Sequence, residues 1–310
     1  MDTSTEMNAL DKLRKLAIIS LFTDDDLVDV FVLKGGNALN IAYGVNDRAS
    51  MDLDFSMKED FGIDMGEVRK KVSAALERTF RDEGFVTFDT KLTPTPGRVR
   101  EEYESFWGGY TLEFKVITLE QYNELNGDID SVRRNAVVID NKQGKKMKID
   151  ISKYEYIDPK THVDIDGYTI YVYTPLMVVY EKIRALCQQV EYYSTVVVAT
   201  NRKRRPRDFF DIYSTLQKFP DLNLLSDENL NVLIEMFKIK KVPLFLLEKL
   251  SDDREFHREG FDSVRDTISS KYVLEPYDHY FDYVLSIVEE IVQRLNDLEL
   301  YESEDVQVEG

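Results

Sequence analysis

The sequence predicts an α+β protein, with a sheet-bearing first half followed by a mostly helical second half. Three observations carry that prediction. A strand, a glycine pair and a helix succeed one another over residues 28–43; four further segments between residues 84 and 152 have strand character and are divided by turn signals; and from Thr174 onward apolar residues recur at helical spacing. With 310 residues, 43% of them hydrophobic and 12% aromatic, the chain can bury a substantial core and divide it between two domains. The division expected is residues 1–173, residues 174–300, and an acidic flexible tail at 301–310.

Residues 8–30 show helical periodicity, with Leu10, Leu13, Leu16, Ile19 and Leu27 as core candidates. A short apolar strand at 28–33 meets Gly35 and Gly36, after which 37–43 reads as a helix whose first residue, Asn37, can cap exposed backbone donors. The next strand spans 51–56 and is followed by a helix over 64–81. Segments 84–91, 109–118, 131–140 and 145–152 read as strands, separated by Pro94, Pro96, Gly97 and Gly144. Thr174 can cap the helix that follows, Pro175 suits its first turn, and Leu176, Val179, Ile183 and Leu186 share one face. Further helices are expected at 208–218, 228–237, 243–250 and 277–300.

Composition narrows the chemistry. A single cysteine, Cys187, cannot form an internal disulfide, and one cysteine with three scattered histidines does not make a structural zinc site. The apolar stretch 16–22 runs directly into Asp24, Asp25 and Asp26 without a small-residue cleavage site, and no segment reaches membrane-spanning length, so the expectation is a soluble cytoplasmic chain with no membrane partner. A net charge of −18 argues against broad adhesion to nucleic acid. Two local basic runs stand out against it. One is Arg202, Lys203, Arg204, Arg205 and Arg207, a candidate contact for an RNA acceptor or simply a solvated loop; the other contains Lys142, Lys145, Lys146 and Lys148.

The chemistry centres on residues 51–56. Side chains alternate along a strand, so Asp52 and Asp54 share one face while Leu53 and Phe55 share the other. Two carboxylates held this close repel, and a hard divalent cation that also takes phosphate oxygens relieves the repulsion. Such a pair suits nucleotidyl or phosphoryl transfer; the plainer alternative is an edge strand carrying two solvated acids. The preceding turn favours the first reading. Gly35 and Gly36 allow backbone amides to approach a phosphate chain, and a helix beginning near Asn37 adds its positive end. Between the two elements Arg48 offers a forked guanidinium and Ser50 a hydroxyl.

KGGNAL at 34–39 followed by RASMDLDF at 48–55 resembles the AbiEii/AbiGii toxin family, nucleotidyltransferases of the DNA polymerase beta superfamily that include the MenT-like toxins. EKIRAL at 181–186 is similar to that family's helix bearing an essential lysine, and RPRDFFDIY at 205–213 to its Arg-Asp-Φ-x-Asp motif. The resemblance covers residues 31–213 and implies a polymerase-beta-like nucleotidyltransferase domain at 1–173, with a helical domain supplying Lys182 and Asp208. It implies Asp52 and Asp54 as metal ligands for Mg²⁺ or Mn²⁺, with Asp150 as a third carboxylate and Glu113 as the alternative. Lys34, Gly35, Gly36 and Asn37 would form the phosphate loop, with Asn37 standing where the family usually has Thr or Ser. Lys182 and Asp208 would act in nucleotide binding or catalysis. The implied activity is transfer of a nucleotide from an NTP to an acceptor, with the 3′ end of tRNA the expected class, by the toxin of a toxin–antitoxin or abortive-infection (phage-defence) pair with a cognate antitoxin. A nucleotide- or partner-binding protein without turnover, or a transferase acting on a protein or small molecule, is the alternative.

Overall fold

Strands β1 (Val32–Lys34), β2 (Leu53–Ser56), β3 (Phe85–Thr95), β4 (Gly109–Thr118), β5 (Met147–Ser152), β6 (Thr161–Ile165) and β7 (Tyr168–Val172) form one mixed sheet in the order β3-β4-β5-β2-β1-β7-β6. The computed structural model describes residues 3–45, 53–140, 143–198, 201–265 and 273–301. Arg48, Ser50 and Asp52, Lys142, and residues 302–310 of the acidic tail therefore lie outside the described residues. The chain divides into two compact units: Met1–Asn37, Met51–Ile157 and Thr161–Val172 make the first, and Ala38–Ser50, Asp158–Lys160 and Tyr173–Gly310 the second.

In the first unit β2 pairs antiparallel with β1 and parallel with β5, and β4 joins β5 to the edge strand β3. Alternation along these strands gives the sheet two chemically opposite faces. Leu53 and Phe55 on β2, Ile149 and Ile151 on β5, and Leu112 and Phe114 on β4 are all buried and stand on one face by register. Two helices, α1 (Thr3–Ser20) and α2 (Met65–Asp82), pack against each other beside it, and α2 also packs on β3. Phe80 of α2 meets Phe114 edge-on at 5.6 Å, and Phe22 just beyond α1 lies 6.2 Å from Phe55. Asp64 starts α2 by accepting the backbone N–H of Gly66 at 2.8 Å, the role expected of an N-cap carboxylate.

The structure corrects several readings of this half: the helix expected over 8–30 ends at Ser20, and the strand expected over 28–33 is Val32–Lys34. Residues 131–140, expected as a strand, begin inside the short helix Ile129–Asn135, because Asp128 caps Ser131 N and Val132 is the helix residue that reaches the core formed with Val86 and Ile117. Strands β6 and β7 were not anticipated. They form a hairpin whose turn, Asp166 and Gly167, has φ of +53° and +85°, the left-handed pair that an Asp-Gly turn supplies.

The second unit is built of helices α3 (Pro175–Cys187), α4 (Pro206–Lys218), α5 (Asp227–Lys238) and α6 (Tyr277–Asp297). Thr174 accepts Met177 N at 3.3 Å and Pro175 occupies the first turn of α3, as expected. Phe209 of α4 packs on Phe281 of α6 at 5.1 Å, and Phe210 on Tyr280 at 5.4 Å. Tyr193 is buried and donates its hydroxyl to Lys240 O, while Tyr192 sits edge-on against Phe245, so these aromatics belong to the core. Cys187 is free and buried, and desolvation raises its thiol pKa, so it packs as a small apolar residue. Among the described residues, no helix is long and apolar enough to cross a membrane.

Candidate active site

The polar face of the sheet is where the candidate residues of the first unit meet. Register sets Lys34 of β1 beside Asp54 of β2, Asp54 beside Asp150 of β5, Asp150 beside Thr111 of β4, and Thr111 beside Thr93 of β3. All five share one face, opposite the apolar one. Strands lie about 4.8 Å apart, so Asp54 and Asp150 are close neighbours.

Gly35 ends β1 and turns the chain toward this face. Its φ is +68°, in the region that L side chains rarely adopt, and a Cβ added there would stand 3.1 Å from Asp54 Oδ2. Two independent constraints thus favour glycine, and the second is the approach of a carboxylate. The elbow and the acid are in contact, as the motif predicts. The helical segment after the elbow begins at Gly35 itself rather than at Asn37, which is buried, and runs on as the π-helical turn Ala38–Ala42. π-Helical turns concentrate at functional sites.

Hydrogen bonds orient Asp150. Thr111 Oγ1 donates to its Oδ1 at 2.9 Å, Thr95 Oγ1 stands 2.9 Å from Thr111 Oγ1, and Lys148 Nζ lies 2.6 Å from its Oδ2. Glu113, the other candidate for a third carboxylate, is one strand further from Asp54, and both of its oxygens face Lys146 Nζ at 3.2 Å. Lys34 is buried, with Nζ 3.1 Å from Ser152 Oγ and 3.7 Å from Glu155 Oε1. Sequence reasoning missed Glu155, which carries no local signal of its pairing.

The donor set suits a hard cation, because Asp54 and Asp150 offer carboxylate oxygens without sulfur or imidazole nearby in the row. Among the described residues no group of three or more His, Cys, Asp or Glu side chains is arranged to hold a metal ion. Asp52, the remaining expected ligand, lies outside them.

In the second unit, Lys182 of α3 projects into an acidic pair on α4. Its Nζ lies 2.9 Å from Asp208 Oδ1 and 2.8 Å from Asp211 Oδ2, and its side chain is only 6% exposed. Arg205 Nη1 holds the other oxygen of Asp208 at 3.0 Å. Burial alone lowers a lysine pKa, but the carboxylates of Asp208 and Asp211 outweigh it and raise that of Lys182. Burial likewise pushes the Asp208 carboxyl up, while Lys182 and Arg205 pull it down further, to about 2. Asp211 went unassigned from sequence although it stands three residues after Asp208 in the same motif. His257 also belongs here: buried, it accepts the Arg205 backbone N–H on Nδ1 at 3.0 Å.

The basic run at 202–207 is not an open cationic patch. Arg202 pairs with Asp253 and stacks 4.2 Å from the Phe256 ring centroid, Arg204 pairs with Glu259, and Arg205 is spent on Asp208. Acids of the same unit neutralise much of the charge that made the run conspicuous in the sequence.

JHP933 from Helicobacter pylori is similar at 14% identity, with 96% of this chain and 99% of that chain covered and a TM-score of 0.47. An antigenic nucleotidyltransferase-like protein from Paracoccidioides brasiliensis is similar at 14% identity, with 75% and 93% covered and a TM-score of 0.34. No curated protein matches the chain. The model of the AbiEii family, described as nucleotidyl transferase AbiEii toxin of a type IV toxin–antitoxin system, matches residues 19–285. Because that match spans most of the chain and takes in the glycine elbow, Asp54 and the Lys182 cluster, the protein belongs to the AbiEii nucleotidyltransferase toxin family.

Proposed function

We propose that the protein transfers a nucleotide from an NTP to the 3′-terminal hydroxyl of tRNA, acting in the cytoplasm as the toxin of a type IV toxin–antitoxin or abortive-infection pair in phage defence. The observation that carries the reading is the seat of Asp54 Oδ2 against the Gly35 elbow, where a Cβ would be 3.1 Å away. A carboxylate beside a turn of open backbone amides is what a cation-bridged phosphate chain requires.

In this reading Asp52, Asp54 and Asp150 hold Mg²⁺ or Mn²⁺. The bound cation supplies neutralisation of the triphosphate and a lowered pKa for the attacking hydroxyl. The backbone of Gly35 and Gly36 receives phosphate oxygens, and Arg48 and Ser50 add a guanidinium and a hydroxyl. Because the Lys34 ammonium is engaged by Ser152 and Glu155, its part is to brace the elbow rather than to donate to phosphate. Lys182 and Asp208 act in nucleotide binding or catalysis. The step forms a bond from the acceptor oxygen to the α-phosphorus and breaks the bond to the β-phosphate oxygen, releasing pyrophosphate. A cognate antitoxin restrains this activity.

Each α-labelled NTP incubated with total RNA and Mg²⁺ tests the reading. Wild type labels RNA of tRNA size, and Asp54→Asn lowers that labelling by a factor on the order of 10³, the scale at which loss of a transition-state charge contact acts. Label appearing on protein and never on RNA replaces tRNA with a protein hydroxyl. Undiminished labelling by Asp54→Asn removes the carboxylate from the mechanism.

A further inference from the structure

The glycine elbow carries a conflict. Gly35 and Gly36 let the backbone come close to a phosphate chain, yet glycine has more conformational freedom than any other residue, and a binding turn works only when it is held in place. Register puts Lys34, the last residue of β1 before the elbow, on the face of Asp54. Anchoring its ammonium therefore anchors the start of the turn. The anchors are Ser152 Oγ at 3.1 Å and Glu155 Oε1 at 3.7 Å.

Glu155 reaches Lys34 only through a break in the alternation of its strand. Ile151 is buried on the apolar face, and Lys153 follows it there: Lys153 Nζ lies 2.6 Å from Asp60 Oδ2 and 5.4 Å from the ring centroid of Tyr110, the register partner of Ile151. A regular strand would send Glu155, two residues further on, to the same side. It goes to the other. Tyr154, between them, has φ of +56°, a conformation that bulky L residues rarely adopt. Around it Met57 N donates to Ser152 O at 2.9 Å and Glu155 N donates to Met57 O at 3.1 Å. The two bonds of Met57 thus bracket Lys153 and Tyr154, one residue more than a regular ladder holds, which makes this a β-bulge.

Bulges re-aim side chains and concentrate beside active sites. The side chain re-aimed here is a carboxylate only 3% exposed, and a buried ion pair is weak evidence for stability. A strained turn that buries an acid against the residue before the elbow serves position. We propose that Glu155 is a positioning residue for nucleotide binding: through the Lys34 ammonium it holds the amides of Gly35 and Gly36 at the spacing from Asp54 that a cation-bridged triphosphate needs. The role rests on the proposed function, which seats the NTP at this elbow.

Glu155→Gln keeps the shape of the side chain and removes its charge. Equilibrium dialysis with α-labelled NTP and Mg²⁺, without RNA, shows this variant binding about tenfold more weakly than wild type, the lower end of the scale for groups that orient a site without touching its ligand. In the labelling assay the KM for NTP rises by the same factor and the KM for RNA is unchanged. Lys34→Met shows the same loss, and Lys34→Met/Glu155→Gln loses about tenfold rather than about a hundredfold, because the two residues act as one unit. Thermal melting checks that each variant is folded at the assay temperature. Should Glu155→Gln not fold, Glu155→Asp, which keeps the charge and draws it back from Lys34, gives the same split with a smaller factor. Folded Glu155→Gln that binds NTP as tightly as wild type overturns the role, and so does a double variant whose loss is the product of the singles. Wild type that binds no NTP rejects the proposed function and this role with it, an outcome read on wild type alone and so distinct from the other two.

Discussion

Lys34 in the first unit and Lys182 in the second are both buried lysines, yet they are held in different ways. Lys34 stands 3.7 Å from the Glu155 carboxylate and 3.1 Å from the Ser152 hydroxyl. Lys182 serves two carboxylates at 2.8 and 2.9 Å, and Asp208 is gripped in turn by Arg205. A buried charge is costly unless matched, and a network is matched only as a whole. Losing Lys34 strips Glu155 of a cation held at 3.7 Å, a looser match. Loss of Lys182 leaves two neighbouring acids that repel each other.

The sharpest test of that difference is a pair of methionine substitutions, which keep side-chain length and remove the charge. Lys182→Met costs roughly 3–5 kcal/mol, the range for breaking a buried ion pair. Lys34→Met costs about 2 kcal/mol, nearer the value for an unsatisfied buried group. Urea denaturation at pH 7 reads both, and equal losses would dissolve the distinction.

Titration sharpens the same comparison. The Asp208 carboxyl is held at about 2, below its unfolded value, so its stabilisation is complete above roughly pH 4 and is lost as pH falls toward 2. Lys182 is shifted upward, so its share persists through neutrality and fails only in strong alkali. Stability of wild type therefore drops by about 2 kcal/mol between pH 4 and pH 2 on account of Asp208 alone. Asp208→Asn flattens that segment of the curve. If both proteins lose stability in parallel across this window, Asp208 does not carry the acid sensitivity.

The two regions also differed in how far sequence exposed them. Asp54 and Gly35 were legible because each is dictated locally: alternation in a four-residue strand sends Asp54 away from Leu53 and Phe55, and a positive φ demands glycine. The start of α3 was legible for the same reason, since Thr174 and Pro175 act within one turn. Pairings made across long separations left no such trace. Glu155 finds Lys34 across 121 positions of sequence only because β5, which precedes Glu155, and β1 flank the same strand, β2. The basic run stood out as a local charge because Asp253 and Glu259, which pair with Arg202 and Arg204, come some fifty residues later. Segment 131–140 misled because Val137, Val138 and Ile139 resemble a strand, whereas the Asp128 cap decides the conformation just before them. The β6–β7 hairpin was signalled, by Asp166-Gly167 between alternating segments, and was overlooked.

His257 makes the smallest prediction and the most local one. It lies between Phe209 and Phe256, with ring centroids 5.4 and 5.1 Å away, and burial lowers its pKa to about 4. The ring is therefore neutral near pH 7, and because Nδ1 accepts the Arg205 N–H, the proton resides on Nε2, which is buried without a hydrogen-bond partner among the described residues. His257→Phe removes the acceptor and strands the Arg205 amide at the start of α4, but it also removes the unsatisfied Nε2 donor. The two changes oppose, leaving a net cost of about 1 kcal/mol. His257→Asn, whose amide oxygen can accept in place of Nδ1, recovers part of that loss while leaving a small cavity. A thermal melt of the two variants decides: if Asn is no more stable than Phe, the Arg205 amide gains nothing from His257, and the grip of Arg205 on Asp208 is set by α4 alone.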